Sequence, residues 1–426
     1  MIPLKDTLQL PATELSGFEP PLTEDERVMQ TTAHRFAKEV MRPAGRELDR
    51  MSSEEAIAPG SPYWAVLAEA AKLGLDPSFF AQFDPATAIK LESLIAEEMG
   101  WGDSGLATSL AAAQFPLMMA VSVGNQELVE LCTGKIGCWL ITQPDRGSDV
   151  GVMYADEWPA GAPGNKGDVT ARVTDSEIIL NGQCSAWVSN GAVAQIALCY
   201  VVADYGDGYV GSNGIPHGLV CVAPLDLPGV SRGKPLEKLG QRSLPQGEVY
   251  FDNVRLPKRF AVALKDQYYG NLSSTWSFAG THMCQTFTGV ARAAFEHALA
   301  YAHERKQGGA PIVRHQLTRW RLGDMARRVE LARATARRAA EYARMSPRAH
   351  AFVTAQAKVT VTEEAMKVVH EALQLFGANG TTREYPIEKL FRDARAALIE
   401  DGENYVLTMR FGALLSRLFE DGWANG

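Results

Sequence analysis

The 426-residue sequence predicts an α+β multidomain chain, helical at both ends with a β domain between. Three observations predict it. From about Thr23 to residue 135 the chain is rich in Ala, Leu and Glu with apolar residues at helical spacing. From about Cys138 to Phe260 it turns to β-branched apolar runs bounded by Gly and Pro. From about residue 271 helical patterning returns and holds to the end. A chain of this length exceeds one simple core, since domains of ~100–200 residues are usual. The expected division is an arm over 1–22, a helical domain over 23–136, a β domain over 137–262 and a helical bundle over 263–426.

The arm is rich in Pro and poor in periodicity. Thr23-Glu-Asp-Glu then supplies an N-cap and early acids for a first helix. Phe36 and Val40 are one turn apart, and Leu91, Leu94, Ile95 and Met99 share one helix face, in a domain of five or six helices. In the β region, IALCYVVAD (196–204) and GLVCVAPLD (218–226) read as strands. Asn181-Gly182, between apolar segments, signals a hairpin. Residues 159–168 and 205–214 read as loops. In the last region, 353–376 is apolar on two helix faces, Val359/Thr362/Met366/Val369 and Ala357/Val361/Ala365/Val368, which predicts burial in a bundle or at a subunit interface. No internal repeat is present.

Hydrophobic residues make up 46%, charged residues 22%, and the net charge is −8. This composition lacks the basic footprint of a general nucleic-acid binder. The N-terminus lacks the pattern of a signal peptide, and no uninterrupted apolar run reaches the ~20 residues needed to span a bilayer. The six cysteines form no CxxC pair, and buried free thiols in a reducing compartment are expected, with cytoplasmic localisation. The eight histidines show no metal-ligand spacing, so no metal is expected.

Two blocks carry chemistry. The first is ITQPDRGSDV (141–150), followed by LNGQCSAWVSNG (180–191). The second is ERKQGG–HQ (304–316), followed by QLFGANGTTREYPIEKLFRDARAALIEDG (374–402). Together and in this order they resemble the acyl-CoA dehydrogenase family, whose pattern is Thr-Glu-Pro-x-x-Gly-Ser-Asp, a Trp-x-(Thr/Ser)-Asn-Gly strand, and an Arg-Asp-Ala motif ahead of the base. The resemblance spans about residues 23–415. It implies that family's fold: an N-terminal helical domain, a central β-barrel-like domain and a C-terminal four-helix bundle, with FAD between the last two.

The resemblance also implies site residues. Trp139, Ile141 and Thr142 would give backbone and hydroxyl contacts to the flavin. Ser148 would lie near the pyrophosphate or substrate. Trp187 would cover one side of the ring, and Ser189 would hydrogen-bond the N5 region. Arg305 suits a pyrophosphate because a guanidinium binds phosphate in a fork. With Gln307, Gln374 and Gly377 it belongs to an arm that, in the family, reaches the flavin of a neighbouring subunit. This implies a homotetramer built as a dimer of dimers, with acyl-CoA as substrate and an electron-transfer flavoprotein or similar acceptor as partner.

The base is read by register. In the family the commonest catalytic glutamate lies eight residues after the Asp of Arg-Asp-Ala. Here Arg392-Asp393-Ala394 leads to Asp401-Gly402, so Asp401 is the expected base, with Glu400 and Glu403 as neighbouring carboxylates. α-Proton abstraction needs a shielded carboxylate whose pKa burial has raised, and β-hydride transfer to flavin N5 would follow. Aspartate is one methylene shorter than glutamate, which suggests a cyclic, branched or otherwise unusual acyl group. Glu403 replaces a Thr that contacts the cofactor in many members, and the loop within 153–169 is longer than usual.

Two other readings stay open. Asp401-Gly402-Glu403-Asn404 resembles the Asp-Gly-Gly-Asn of nitroalkane oxidases, which use Asp as base with a nearby Arg; Arg410 is the candidate. Residues 314–344 hold nine arginines and three acids, which could bind nucleic acid. A solvated helix face, or pairing with the acidic segment 91–98, is the favoured reading of that stretch.

Overall fold

The computed structural model describes residues 21–149, 166–212, 214–346, 349–420 and 422. The arm, save its last two residues, and most of the loop within 153–169 lie outside them. Among the described residues, helices run from Glu24 to Cys132, strands from Gly137 to Leu264, and long helices from Tyr268 to Glu420.

The first helix, α1 (Glu24–Phe36), begins as the sequence predicts. Thr23 and Glu26 form a capping box, each side chain bonding the other's backbone N–H. Val40 lies just beyond, in a π-helical turn over Ala37–Met41 that leads into α2 (Arg42–Leu48). Short helices α3 (Ser53–Ile57), α4 (Pro62–Leu73) and α5 (Pro77–Phe80) precede α6 (Pro85–Gly102), α7 (Ser104–Ser122) and α8 (Gln126–Cys132). These eight exceed the five or six expected, because pieces of four to seven residues are too short to show periodicity. By length and apolarity α7 could cross a membrane. Its apolarity is accounted for by burial against the first strand, β1 (Gly137–Leu140), and the sheet.

The sheet has eight strands: β1, β2 (Val169–Val173), β3 (Glu177–Gln183), β4 (Ile196–Asp204), β5 (Gly218–Pro224), β6 (Val230–Arg232), β7 (Val249–Pro257) and β8 (Ala261–Leu264). Their order is β6-β7-β3-β2-β4-β5-β8, with β1 parallel to β4. The path does not close on itself, so the barrel-like expectation narrows to an open sheet. Both predicted strands are present. Along β4 the residues alternate between two cores: Ala197, Cys199 and Val201 face one, while Leu198 and Tyr200 face α7 and the next helix. All six cysteines are free and buried.

The Asn181-Gly182 hairpin is corrected. The pair lies inside β3, where pairing with β7 shifts register between Leu180 and Gly182. Gly182 has φ +122°, and a Cβ there would sit 1.8 Å from the Asp168 carbonyl oxygen. The glycine serves a β-bulge and a close backbone approach rather than a turn.

Three long helices, α9 (Tyr268–Glu304), α10 (Gln316–Met345) and α11 (Ala351–Phe376), pack on one another. Then α12 (Ile387–Ala396) and α13 (Asn404–Glu420) pack on α11. Both apolar faces of α11 are used: Val361, Ala365, Val368 and Val369 are all in the bundle core.

A buried ionic network joins α6 to this bundle. Arg292 of α9 donates to Glu97 (2.8 Å) and forks onto Glu98. Arg333 and Arg337 of α10 reach Glu97 at 2.9 and 2.7 Å, and Arg344 reaches Glu92. His34 and Gln30 of α1 complete the shell of Glu98. Burial opposes the Glu97 charge, but Arg333, Arg292 and Arg337 outweigh it and hold the carboxyl far below its ordinary range. The arginines of α10 that face the acidic segment 91–98 are thus committed to it, as the favoured reading had it.

Replacing Glu97 by Gln strands buried guanidinium groups, and we expect a loss of ~3–5 kcal/mol in urea unfolding. Because the Glu97 pKa is depressed in the fold, its contribution is complete above the ordinary glutamate range near ~4.3 and is lost as pH falls below it. The wild-type and Glu97→Gln stabilities should therefore converge in acid.

Candidate active site

The Trp-Val-Ser-Asn turn after β3 is set by Asn190, fully buried at φ +64°. Its side-chain oxygen accepts from Ser109 (2.7 Å) and Tyr63 (3.3 Å) of the helical domain. Its amide donates to the carbonyls of Ser109 (2.8 Å) and Gly137 (3.2 Å). Trp187, three residues earlier, is left 62% exposed, its backbone carbonyl held by Gln246. Ser189 bridges to Gln246 through the backbone. Thr142 follows β1, its hydroxyl 2.7 Å from that of Ser185, which also accepts from the Trp187 N–H. A large ring left in solvent beside paired hydroxyls fits a planar, polar-edged cofactor such as a flavin. Trp139 and Ile141 point their side chains elsewhere. The Trp139 ring stacks on Phe115 at 4.9 Å, in the core between sheet and helices, so only backbone contact fits the expected role.

The Asp401 turn is held from three sides. Asp401 and Gly402 both have left-handed φ, +52° and +98°. Trp276 of α9 donates to the Asp401 carbonyl at 3.2 Å. Lys358 of α11 donates to the Gly402 carbonyl at 2.8 Å and to the Asn404 side chain at 2.9 Å. From the β domain, the Ser148 hydroxyl accepts from the Glu403 N–H at 2.9 Å. Ser148 also receives Arg410 on its carbonyl at 3.0 Å. The two sequence blocks therefore meet here. The Glu403 carboxylate caps its own helix, accepting from the Val406 N–H.

Asp401 and Glu400 are half-buried, yet protein surrounds them closely enough to resist their ionisation. Burial pushes the Asp401 carboxyl up, and the Lys358 charge opposes the shift. Burial and then the Asp401 charge push Glu400 up to about 7, against Lys238 and Lys358. Lys358 itself is brought down to about 8 by burial, with Asp401 and Glu400 resisting. Arg410 lies over the rings of Phe352 (4.8 Å) and Trp276 (5.6 Å), and the Lys358 charge favours ionised Asp401.

The Arg-Asp-Ala motif locks this turn to the rest of the chain. Asp393 accepts from the Gln241 N–H at 2.6 Å and pairs with Lys389 at 2.6 Å. Lys389 also binds Asp103 at 2.6 Å, and Ser243 donates to the same carboxylate. Arg392 grips Asp49 through both terminal nitrogens. The Gln241 side chain donates to Glu400 at 2.8 Å.

A second group of expected residues gathers elsewhere. Arg305, Gln307, Gln374 and Gly377 line a cleft of about 360 Å³ with Tyr301 and His315. Tyr301 stacks on Phe376 at 4.0 Å, and His315 touches the Gln307 carbonyl. Gln374 is sixteen residues along α11 from Lys358, about 24 Å at helical rise. One chain does not bring the two groups together.

Sequence reading missed Lys358. The signal was there: a lysine inside a helix predicted to be buried on two faces must find a buried partner. It also missed Asn190 as the hub of the tryptophan turn. Replacing Asn190 by Ala removes four buried hydrogen bonds and leaves a left-handed backbone without its Asn, and we expect a loss of ~2–5 kcal/mol by urea unfolding.

Comparison with known proteins agrees with this geometry. The acyl-CoA dehydrogenase middle-domain family model matches residues 138–254, and the acyl-CoA dehydrogenase C-terminal-domain model matches 276–415. Benzylmalonyl-CoA dehydrogenase of Aromatoleum aromaticum is 28% identical over 398 residues, 91% of this chain and 97% of that protein. Cyclohexane-1-carbonyl-CoA dehydrogenase of Geobacter metallireducens is 29% identical over 311 residues, 70% of this chain and 73% of its own. Among solved structures, butyryl-CoA dehydrogenase of Megasphaera elsdenii superposes with a TM-score of 0.77 at 24% identity, covering 93% of this chain and all of that one. A glutaryl-CoA dehydrogenase of Mycobacterium smegmatis in complex with FADH2 gives 0.76 at 22% identity, over 95% of this chain and 97% of its own. The chain belongs to the acyl-CoA dehydrogenase family, FAD-dependent oxidoreductases acting on CH–CH bonds.

Proposed function

We propose that the chain dehydrogenates the α,β bond of an acyl-CoA thioester with Asp401 as the α-proton base, and that its acyl group is cyclic, branched or otherwise unusual. The observation that carries this reading is the meeting of Ser148 and Glu403, which joins the Asp401 turn to the flavin-side block. Bound FAD supplies the acceptor for the β-hydride. Asp401 takes the α-proton from the thioester, its carboxyl poised by burial. The Asp401 N–H stabilises the enolate oxygen that the lost proton leaves behind. With FAD bound, Trp187 would cover the ring, and Thr142 and Ser189 would offer hydrogen bonds at its edge. A ring-bearing acyl group is supported by the short base and by the names of two relatives, which act on benzylmalonyl-CoA and cyclohexane-1-carbonyl-CoA.

The separation of the Arg305 cleft from the Asp401 turn supports an assembly in which one copy's Arg305, Gln307, Gln374 and Gly377 serve the cofactor of another. Leu317 and Trp320, exposed at 62% and 64% beside that cleft, offer apolar surface for such contact. The proposed form is a homotetramer, passing electrons to an electron-transfer flavoprotein or similar acceptor in the cytoplasm. The nitroalkane-oxidase reading is the alternative: Arg410 lies beside the turn, donating to the Ser148 carbonyl at 3.0 Å, and reduction by nitroalkanes is the outcome that favours it.

The test is anaerobic titration of the purified protein with cyclic and straight-chain acyl-CoA thioesters and with simple nitroalkanes, followed by visible absorption. Bleaching by cyclic thioesters is expected; bleaching by nitroalkanes alone overturns the proposal. Asp401→Asn should retain flavin and lose reduction by thioester, at least ~100-fold in rate. Since the base must be ionised and its pKa is raised in the fold, the wild-type rate should climb with pH through a midpoint above the ordinary aspartate value of ~3.9.

A further inference from the structure

We propose that Lys358 is a positioning residue for the base: its ammonium fastens the Asp401–Gly402 turn and supplies the positive charge that lets Asp401 ionise beside Glu400. The proposal rests on the reading of Asp401 as base and adds a role that the sequence blocks do not contain.

Three observations carry it. Lys358 is fully buried on α11, within a helix whose neighbouring faces are apolar, so its charge is tolerated only by the groups it meets. Two of its donors are spent on the turn, on the Gly402 carbonyl and on Asn404, the first residue of α13. Asn404 is fixed in turn, its amide donating to Thr362 one turn further along α11 at 3.1 Å. The result is a closed path from α11 through the base turn to α13 and back.

The third observation is the charge census. The groups facing Lys358 are Asp401, Glu400 and Glu403 from the turn and the Cys284 thiol from α9, which burial pushes up to about 12 and so keeps neutral. On the β-domain side, Lys238 faces Glu400 and donates to the Leu244 carbonyl and the Gln246 side chain. Two carboxylates adjacent in sequence are therefore flanked by the buried Lys358 ammonium and the half-buried Lys238 one, with Lys358 opposing the upward push on both and Lys238 acting on Glu400. Without Lys358 the burial of Asp401 would act unopposed to keep the base protonated. A lysine that merely filled the core would give the same packing but no influence on the Asp401 proton.

The experiment reads that proton. Carboxyl stretches of the full-length holoenzyme are titrated by infrared difference, with Asp401→Asn identifying the Asp401 band. In Lys358→Met the Asp401 midpoint should rise by about one pH unit or more, the effect of removing a nearby opposite charge. Lys358→Gln, which keeps a donor for Gly402, should raise it likewise, while Lys358→Arg should hold it near the wild-type value. An unchanged midpoint in the neutral variants, with wild-type circular dichroism, overturns the proposal. With a thioester that bleaches the flavin, kcat should fall about tenfold in Lys358→Met below the new midpoint while KM holds. The infrared arms are independent of turnover, so failure of Asp401 as base is seen separately, as unchanged bleaching by Asp401→Asn.

Discussion

One buried ammonium ties the three parts of the chain together. Lys389 sits between Asp103, which caps α7 of the N-terminal domain, and Asp393, which holds the β-domain backbone at Gln241. Burial would strip its proton, and the two carboxylates more than restore it. Each partner holds more than the lysine: Asp103 accepts from Ser243 and the Leu106 N–H, and Asp393 from the Gln241 N–H. Gln241 then reaches Glu400, immediately before the base. The site is assembled at the point where the three parts of the chain share one charge cluster. Removing one member leaves others buried and unpaired, which is why such clusters impose a single arrangement on the pieces they join.

This explains what was legible in the sequence. The helix–sheet–helix order could be read because each part keeps one hydrophobic period over many residues. The strands at 196–204 and 218–224 and the capping box at Thr23 depend only on neighbours in sequence. The site residues came from short blocks with fixed spacing. What stayed hidden depends on partners far along the chain. Lys358 looks like any helix lysine until Gly402 and Asn404 fold onto it. Asn181-Gly182 has the composition of a turn, but Asp168 and β7 claim it for a bulge. Arg392-Asp393 served as a ruler for counting to the base, while its physical work is to grip Asp49 and Gln241.

The cations of α10 make a related point. A stretch of nine arginines looks like a binding surface when counted in sequence. In three dimensions Arg333, Arg337 and Arg344 face α6, and Arg328 joins Asp324 to Glu364 within the bundle. The same helix leaves Leu317 and Trp320 in solvent at its start. Its charges therefore close the chain on itself, while its apolar end faces outward.

The backbone at Asp401 has a consequence of its own. At φ +52° the residue occupies a region that most side chains avoid and that Asn and Asp enter more readily, because a short polar group can bond locally. Aspartate here is then a choice of conformation as well as of reach. A lineage that exchanged it for glutamate would have to reshape the turn along with the pocket, so the length of the base and the bend that carries it would be inherited as one trait.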